Sequence, residues 1–329
     1  KLQDAELSYR KAIEIKPDFA EAHSNLGNLL NNLGNLKDAE LSYRKAIEIK
    51  PDYAEAHSNL GNILRDLGNL QDAELSTRKA IELRPDFAKA YYSLSLLKYS
   101  DKNKIWQDQL FSNSILNNNS QKDQIDIYFA RANVLHKEKN YNESAKYLRL
   151  ANQLKLILKP SNADRLINKS KVLLLESNKK EMNQKVYKES PESIFIVGMP
   201  RSGSTLLESI ISMNSSVNDL GEIMILEESF IDNKKINQDL TLAEIYWEKI
   251  KNLKKQSNIT TNKNLYNYQY VGIIANKIPN TKIIHCFRNP LDNILSLYRA
   301  HFSLFNQYSS SLVDCANIYL DQEEIMTEY

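Results

Sequence analysis

The residues best suited to chemistry stand at Met199-Pro-Arg-Ser-Gly-Ser-Thr-Leu206, directly after the apolar run Phe195-Ile-Val-Gly198. An apolar run, a glycine–serine turn and a second apolar segment read as strand, tight loop and helix start. In that layout backbone N–H groups and a helix N-terminus face an anion. Arg201, Ser202, Gly203, Ser204 and Thr205 are therefore candidate ligands of a phosphate-like group. Gly198, four residues, Gly203, Ser204 and Thr205 share the frame of a Walker nucleotide loop, but Ser204 stands at the lysine position. The nearest cation is three residues earlier, at Arg201. A nucleoside triphosphatase sets that lysine against the β- and γ-phosphates, so its absence points to a different phosphorylated donor.

A second cluster is Phe287-Arg-Asn-Pro-Leu-Asp-Asn-Ile-Leu-Ser-Leu-Tyr298. Lys282-Ile-Ile-His-Cys286 before it reads as a buried strand. Arg288 then falls at the strand end, Pro290 suits a helix N-terminus, and Ser296 lies about two turns on. Both side chains can reach one phosphate, and arginine offers it a planar fork of donors.

With these two motifs, roughly residues 193–302 resemble sulfotransferases that use 3′-phosphoadenosine 5′-phosphosulfate (PAPS). The resemblance implies PAPS as donor substrate. Its 5′-phosphosulfate would lie on the loop of Arg201 to Thr205, and its 3′-phosphate on Arg288 and Ser296. Glu222, directly after Gly221 and reached from the loop's helix by a short turn, Asn214 to Asp219, resembles the catalytic base of tyrosylprotein sulfotransferases. The turn returns the chain to a strand end, where ligands of open α/β sheets bind. A carboxylate whose burial raises its pKa can take a hydroxyl proton. Thr261-Asn-Lys-Asn-Leu265 resembles the family's lysine segment, with leucine where proline is usual. That likeness implies Lys263 as the cation for the leaving oxygen. His301 is the rival base, whereas His285 reads as a core residue of its strand. Sulfuryl transfer asks mainly for positioning and charge stabilisation, so no metal is expected.

The elements that must hold these groups belong to the second half of the chain; the first third is repetitive. Pro17, Pro51 and Pro85 recur every 34 residues, as do Ala12, Ala46 and Ala80, and Gly27 and Gly61 share the period. This is the tetratricopeptide signature, and residues 1–99 resemble that family. Gly27, Ala39 and Ala46 let paired helices approach, Leu26, Leu30 and Tyr43 fill the seam, and Pro51 stops a helix. Residues 100–160 read as degenerate repeats, with Ala132, Leu135, Tyr141, Leu148 and Ala151 at matching places. Residues 161–192 read as a helical linker, and residues 193–329 as the sulfotransferase-like domain. The expected fold is thus multidomain α plus α/β: a tetratricopeptide superhelix, then an incomplete P-loop-type domain with a parallel sheet. The chain begins inside a repeat unit and ends inside a helix, so further sequence is expected at both ends, including a loop that closes over the donor.

The inner face of a helical solenoid binds partners. Asn25 and Asn59, one period apart, form a candidate amide ladder for a peptide backbone, as in O-linked N-acetylglucosamine transferases, which these repeats resemble. The expected partner is a protein or peptide acceptor, with tyrosine favoured by the resemblance. Net charge is +2 over 329 residues, so no global field favours nucleic acid or a membrane surface. No apolar run approaches the ~20 residues of a spanning helix. Cys286 and Cys315 are too few for a disulfide framework, and Cys286 is expected to be buried. Three other readings stay open: a carbohydrate sulfotransferase, a catalytically dead repeat scaffold, and a nucleotide-dependent phosphotransferase.

Overall fold

The structure, a computed structural model, describes residues 2–97, 105–178, 190–235, 240–251, 253, 258–302 and 306–329. The chain divides into two compact units, Lys1–Leu158 and Lys159–Tyr329. The expected linker residues 179–189 and the repeat edge 98–104 lie outside the described residues.

The first unit is a superhelix of paired helices: α1 (Leu2–Ile15), α2 (Ala20–Asn32), α3 (Leu36–Ile49), α4 (Ala54–Asp66), α5 (Leu70–Leu83) and α6 (Ala88–Leu96). The short helices α7 (Ile105–Phe111) and α8 (Asn113–Asn117) follow, then the pair α9 (Gln121–Lys137) and α10 (Tyr141–Leu158). Leu26, Leu30, Ala39, Tyr43 and Ala46 are buried as the pattern requires. A Cβ on Gly27 would meet the Tyr43 ring at 2.8 Å, so glycine lets α2 and α3 close on that ring without displacing it. Helix α3 ends at Ile49, directly before Lys50-Pro51, because the residue before proline avoids helical geometry. Tyr141, matched to a repeat position, is instead exposed in the first turn of α10.

The repeats also share ties that the proline–glycine pattern does not reveal. His23, His57 and Tyr91 each reach back to the carbonyl of Pro17, Pro51 and Pro85, at 3.0, 3.0 and 2.9 Å. Lys16, Lys50 and Arg84 sit over Phe19, Tyr53 and Phe87. Lys50 also pairs with Glu21 at 3.3 Å and Arg84 with Glu55 at 2.5 Å, linking successive units.

The second unit opens with α11 (Ala163–Ser177) and is built on β1 (Glu192–Gly198), α12 (Ser204–Ile211), β2 (Val217–Asp219), α13 (Ile225–Lys235) and α14 (Leu242–Lys251). It continues through β3 (Ile259–Asn262), a 3₁₀ turn (Leu265–Tyr270), α15 (Val271–Lys277), β4 (Thr281–Cys286), α16 (Pro290–Arg299) and α17 (Leu312–Glu328). The sheet is parallel in the order β2-β3-β1-β4. Its core gathers Phe195, Val197, Leu226, Tyr246, Ile273 and Ile274.

Two expectations change here. Helix α11, read as linker, is part of this unit: Leu173 and Leu166 are buried in its cores, and Ser170 donates to Asp321 on α17 at 2.7 Å. Its exposed charges gave it a linker-like sequence, yet its third and fourth spacings carry the apolar face. Strand β4, read as buried, is the edge strand and pairs only with β1 among the described residues. His285 and Cys286 are consequently half-buried rather than core, and His285 shares a 2.9 Å hydrogen bond with Gln322 of α17. No helix of the described residues is long and apolar enough to cross a membrane.

Candidate functional site

The sheet register alone gathers the predicted residues. Gly198 lies opposite Cys286, Phe195 opposite Asn262, and Asp219 opposite Thr261. In a parallel sheet all the strands then end on one edge, where the loops can hold a ligand. The loop after β1 carries Arg201 to Thr205, the loop after β4 carries Arg288, and Lys263 directly follows β3. The turn after β2 brings Glu222. Two further backbone bonds prolong that edge: Leu220 N–H donates to the Thr261 carbonyl at 3.0 Å and Lys263 N–H to the Gly221 carbonyl at 2.9 Å.

The loop has the alternating backbone of an anion nest. Arg201 (φ 71°) and Gly203 (φ 98°) are left-handed and flank Ser202, which is not. A non-glycine residue in that region is uncommon and must be held there by its surroundings. At Gly198 (φ 150°) a Cβ would come within 2.5 Å of the Cys286 carbonyl and 3.1 Å of the Ser202 hydroxyl oxygen. Glycine there lets the loop leave β1 against β4. Ser202 Oγ is buried with no hydrogen-bond partner, which is costly unless something outside the protein supplies one.

The second predicted cluster meets the first. Arg201 Nε donates to Ser296 Oγ at 3.3 Å, and Arg288 Nη1 donates to the Arg201 carbonyl at 3.1 Å. Asn293, fully buried on α16, donates to the Pro200 carbonyl at 3.0 Å. It was missed by sequence reasoning, although it lies within the Arg288–Ser296 motif. The guanidinium groups of Arg201 and Arg288 belong to exposed residues at the mouth of the loop.

Lys263 joins the third and fourth predictions. Its ammonium donates to Glu222 Oε1 at 2.6 Å and to Thr205 Oγ1 at 3.2 Å. Its side chain is 7% exposed whereas that of Glu222 is 63% exposed. Glu222 thus meets the lysine and open solvent, not the burial that the sequence argument invoked for a base. Sequence reasoning also missed Glu208 on α12, a buried carboxylate that accepts the Thr261 hydroxyl at 3.0 Å and lies 4.0 Å from Lys263. An acid inside the apolar segment Leu206-Leu-Glu-Ser-Ile-Ile211 was the available signal.

In the repeat unit Asn25 is exposed and Asn59 partly so. Asn59 is not a free rung: its amide donates to Asn28 Oδ1 at 3.1 Å, and Asn28 also accepts the Tyr43 hydroxyl at 2.8 Å. Asn28 and its counterpart Asn62 are one period apart beside the repeated glycines, so they were visible in the sequence.

Separate family models match the two halves of the chain. The model of the Sulfotransferase family matches residues 191–241 and 232–328. Tetratricopeptide-repeat models match 1–34 and 27–68, then 54–87, then 125–156. An uncharacterized protein of Aquifex aeolicus (strain VF5) is 29% identical over 134 residues, covering 35% of this chain; the chain spans 18% of that relative's length. Among solved structures, MamA is 22% identical over 46% of this chain and 88% of its own, with a TM-score of 0.35. YrrB, described as a TPR protein with an unusual peptide-binding site, is 22% identical over 52% of this chain and 85% of its own, with a TM-score of 0.35. A mutant of Thermobaculum terrenum O-GlcNAc transferase is 15% identical over 90% of this chain and 40% of its own, with a TM-score of 0.32.

Proposed function

Starting from a chain in which tetratricopeptide repeats are fused to a sulfotransferase-family domain, we propose that it transfers a sulfuryl group from PAPS to a hydroxyl of a protein or peptide, with tyrosine the favoured acceptor. The observation that carries this reading is the meeting of four segments on one sheet edge. The loop of Arg201 to Thr205 meets Arg288 and Ser296 on one side, and Lys263 with Glu222 on the other.

In this reading the donor supplies the sulfuryl group and two anionic ends. The loop N–H groups, Ser202 and the α12 N-terminus take the phosphosulfate. Ser202 Oγ, buried and unpartnered, fits such a guest. Ser204 and Thr205 contribute the first helical N–H groups, and the Thr205 hydroxyl already contacts Lys263. Arg288 and Ser296 take the 3′-phosphate, which distinguishes PAPS from donors without it. Lys263 balances the charge that grows on the leaving phosphate oxygen. Glu222, solvent-exposed and beside that lysine, receives the proton of the acceptor hydroxyl. The repeat arm would present the acceptor, with Asn25 holding peptide backbone, joined by Asn59 once its amide exchanges Asn28 for the peptide.

Calorimetry on the full-length protein tests the donor. The product analogue 3′,5′-adenosine diphosphate should bind with micromolar affinity, and 5′-AMP should bind at least tenfold more weakly, a gap of roughly 1.4 kcal/mol or more. Arg288→Ala should erase that preference. A folded wild type that ignores the bisphosphate would leave the repeat scaffold as the better account. Sulfation of a polysaccharide but not of tyrosine peptides would move the acceptor to carbohydrate.

A further inference from the structure

The head of Lys263 has three acceptors around it, and two are carboxylates. Glu222 lies at 2.6 Å and Glu208 at 4.0 Å; Thr205 Oγ1 lies at 3.2 Å. The carboxylates differ in how firmly they are held. Glu222 hangs from the turn after β2, mostly in solvent. Glu208 stands one helical turn below Ser204 on α12, with its side chain only 9% exposed. Its Oε1 accepts the hydroxyl of Thr261, a fully buried residue of β3. A carboxylate fixed away from water needs a cation and hydrogen bonds to be tolerated. Among the described residues, Lys263 is the cation recorded within ion-pair distance of it.

We propose that Glu208 is a positioning residue for Lys263, holding its ammonium beneath the loop when Glu222 can no longer do so. This role rests on the sulfuryl-transfer reading. In that reaction the acceptor O–H bond breaks and its proton passes to Glu222. An O–S bond forms to the acceptor, and the S–O bond to the donor phosphate breaks. Its electron pair stays on the phosphate oxygen, facing Lys263. At that moment Glu222 is neutral and its charge no longer restrains the lysine. Thr205 offers only a hydroxyl dipole. Glu208 touches no reacting atom and stands outside the proton transfer; the Thr261 hydroxyl fixes it to β3 on the buried side of the lysine. The lysine therefore keeps a counter-charge on its buried side while it serves the leaving oxygen on the other.

Glu208→Gln tests this, since glutamine keeps the shape and an oxygen for Thr261 while removing the charge. We expect kcat to fall about tenfold or more, the donor KM to stay within about threefold, and the melting temperature to hold. Glu208→Asp should recover part of the loss. A second readout needs no donor: competitive labelling of lysine amines by an acid anhydride, followed by mass spectrometry of the peptide that carries Lys263. In Glu222→Gln the labelling of Lys263 should stay slow, and adding Glu208→Gln should raise it about tenfold. Equal labelling in the single and double variants would overturn the proposal, as would a kcat loss that merely tracks lost folded protein. If labelling responds but the wild type neither binds the bisphosphate nor transfers sulfate, the ion-pair contact is real, and it is the sulfuryl-transfer reading, with the turnover role built on it, that fails.

Discussion

The repeat unit and the α/β unit stabilise themselves in opposite ways. In the repeats one set of ties recurs every 34 residues: an aromatic ring under a cation, a side chain on a proline carbonyl, an ion pair to the next unit. Each tie is local or reaches only to the neighbouring unit, and each exists in several copies. In the α/β unit the decisive contacts occur once and join distant segments, such as Lys263 with Thr205 and Glu222, or Arg201 with Ser296. Redundancy makes a solenoid tolerant, because its stability is a sum of repeat and interface contributions. A site assembled from single long-range contacts has no spare copies. The same change of chemistry should therefore do more damage in one half than in the other.

A pair of alanine substitutions at glycine puts that contrast to its hardest test. At Gly198 the added Cβ meets a backbone carbonyl at 2.5 Å, and neither β1 nor β4 can withdraw without losing ladder bonds. Gly198→Ala should cost about 3 kcal/mol or more. Hydrogen exchange of the whole chain should show β1 and β4 peptides losing protection while α2 to α5 keep theirs. At Gly27 the obstacle is the Tyr43 ring, 2.8 to 3.0 Å away, which is a side chain able to tilt. Overpacking of about 1–3 kcal/mol is offset by the helical preference of alanine over glycine, about 1 kcal/mol. Gly27→Ala should cost about 1 kcal/mol net, with faster exchange confined to α2 and α3, where the Tyr43–Asn28 bond would be strained. Equal losses in the two halves would remove the contrast.

The same difference decides what could be read from the sequence. The repeats announced themselves because one packing solution is written several times over, so Gly27, Ala39, Tyr43 and Ala46 could be placed by period alone. The loop after β1 was legible because its backbone demands glycine and serine at set positions. Arg288 and Ser296 were legible because both ride on one strand-to-helix motif. Glu208 was not, since its contacts appear only when β3 brings Thr261 and Lys263 beside α12, 53 and 55 positions along the chain. The edge position of β4 was equally hidden: an apolar run gives no sign of whether one strand or two will pair with it. Helix α11 was read as linker because its charges were weighed above the spacing of Leu166, Ser170 and Leu173. Local pattern exposed what is local or repeated, and single long-range contacts needed the fold.

One such contact also gives the α/β unit a pH response of its own. Asp321 on α17 is buried, accepts the hydroxyls of Ser170 at 2.7 Å and Tyr268 at 2.8 Å, and so ties α11 to the 3₁₀ turn. Burial raises its pKa above the ordinary carboxyl value of 3.8, and nearby Glu324 adds to the rise. The two hydroxyls and Lys171 oppose that shift without reversing it. A carboxyl raised on folding contributes stability that is complete below its unfolded pKa. That contribution is lost as pH climbs through the raised folded value. Asp321→Asn keeps the volume and cannot ionise. The gap between wild type and variant, followed by exchange of α17 peptides in urea, should therefore narrow or change sign from pH 3.8 upward. In the repeats Glu21 on α2 has the opposite sign: a backbone hydrogen bond and Lys50 hold it below the ordinary carboxyl value, so whatever it contributes is lost as pH falls, and α2 should show no loss as pH rises. Parallel pH curves for wild type and variant would show that Asp321 holds its charge at no cost, and that the two hydroxyls suffice to solvate it.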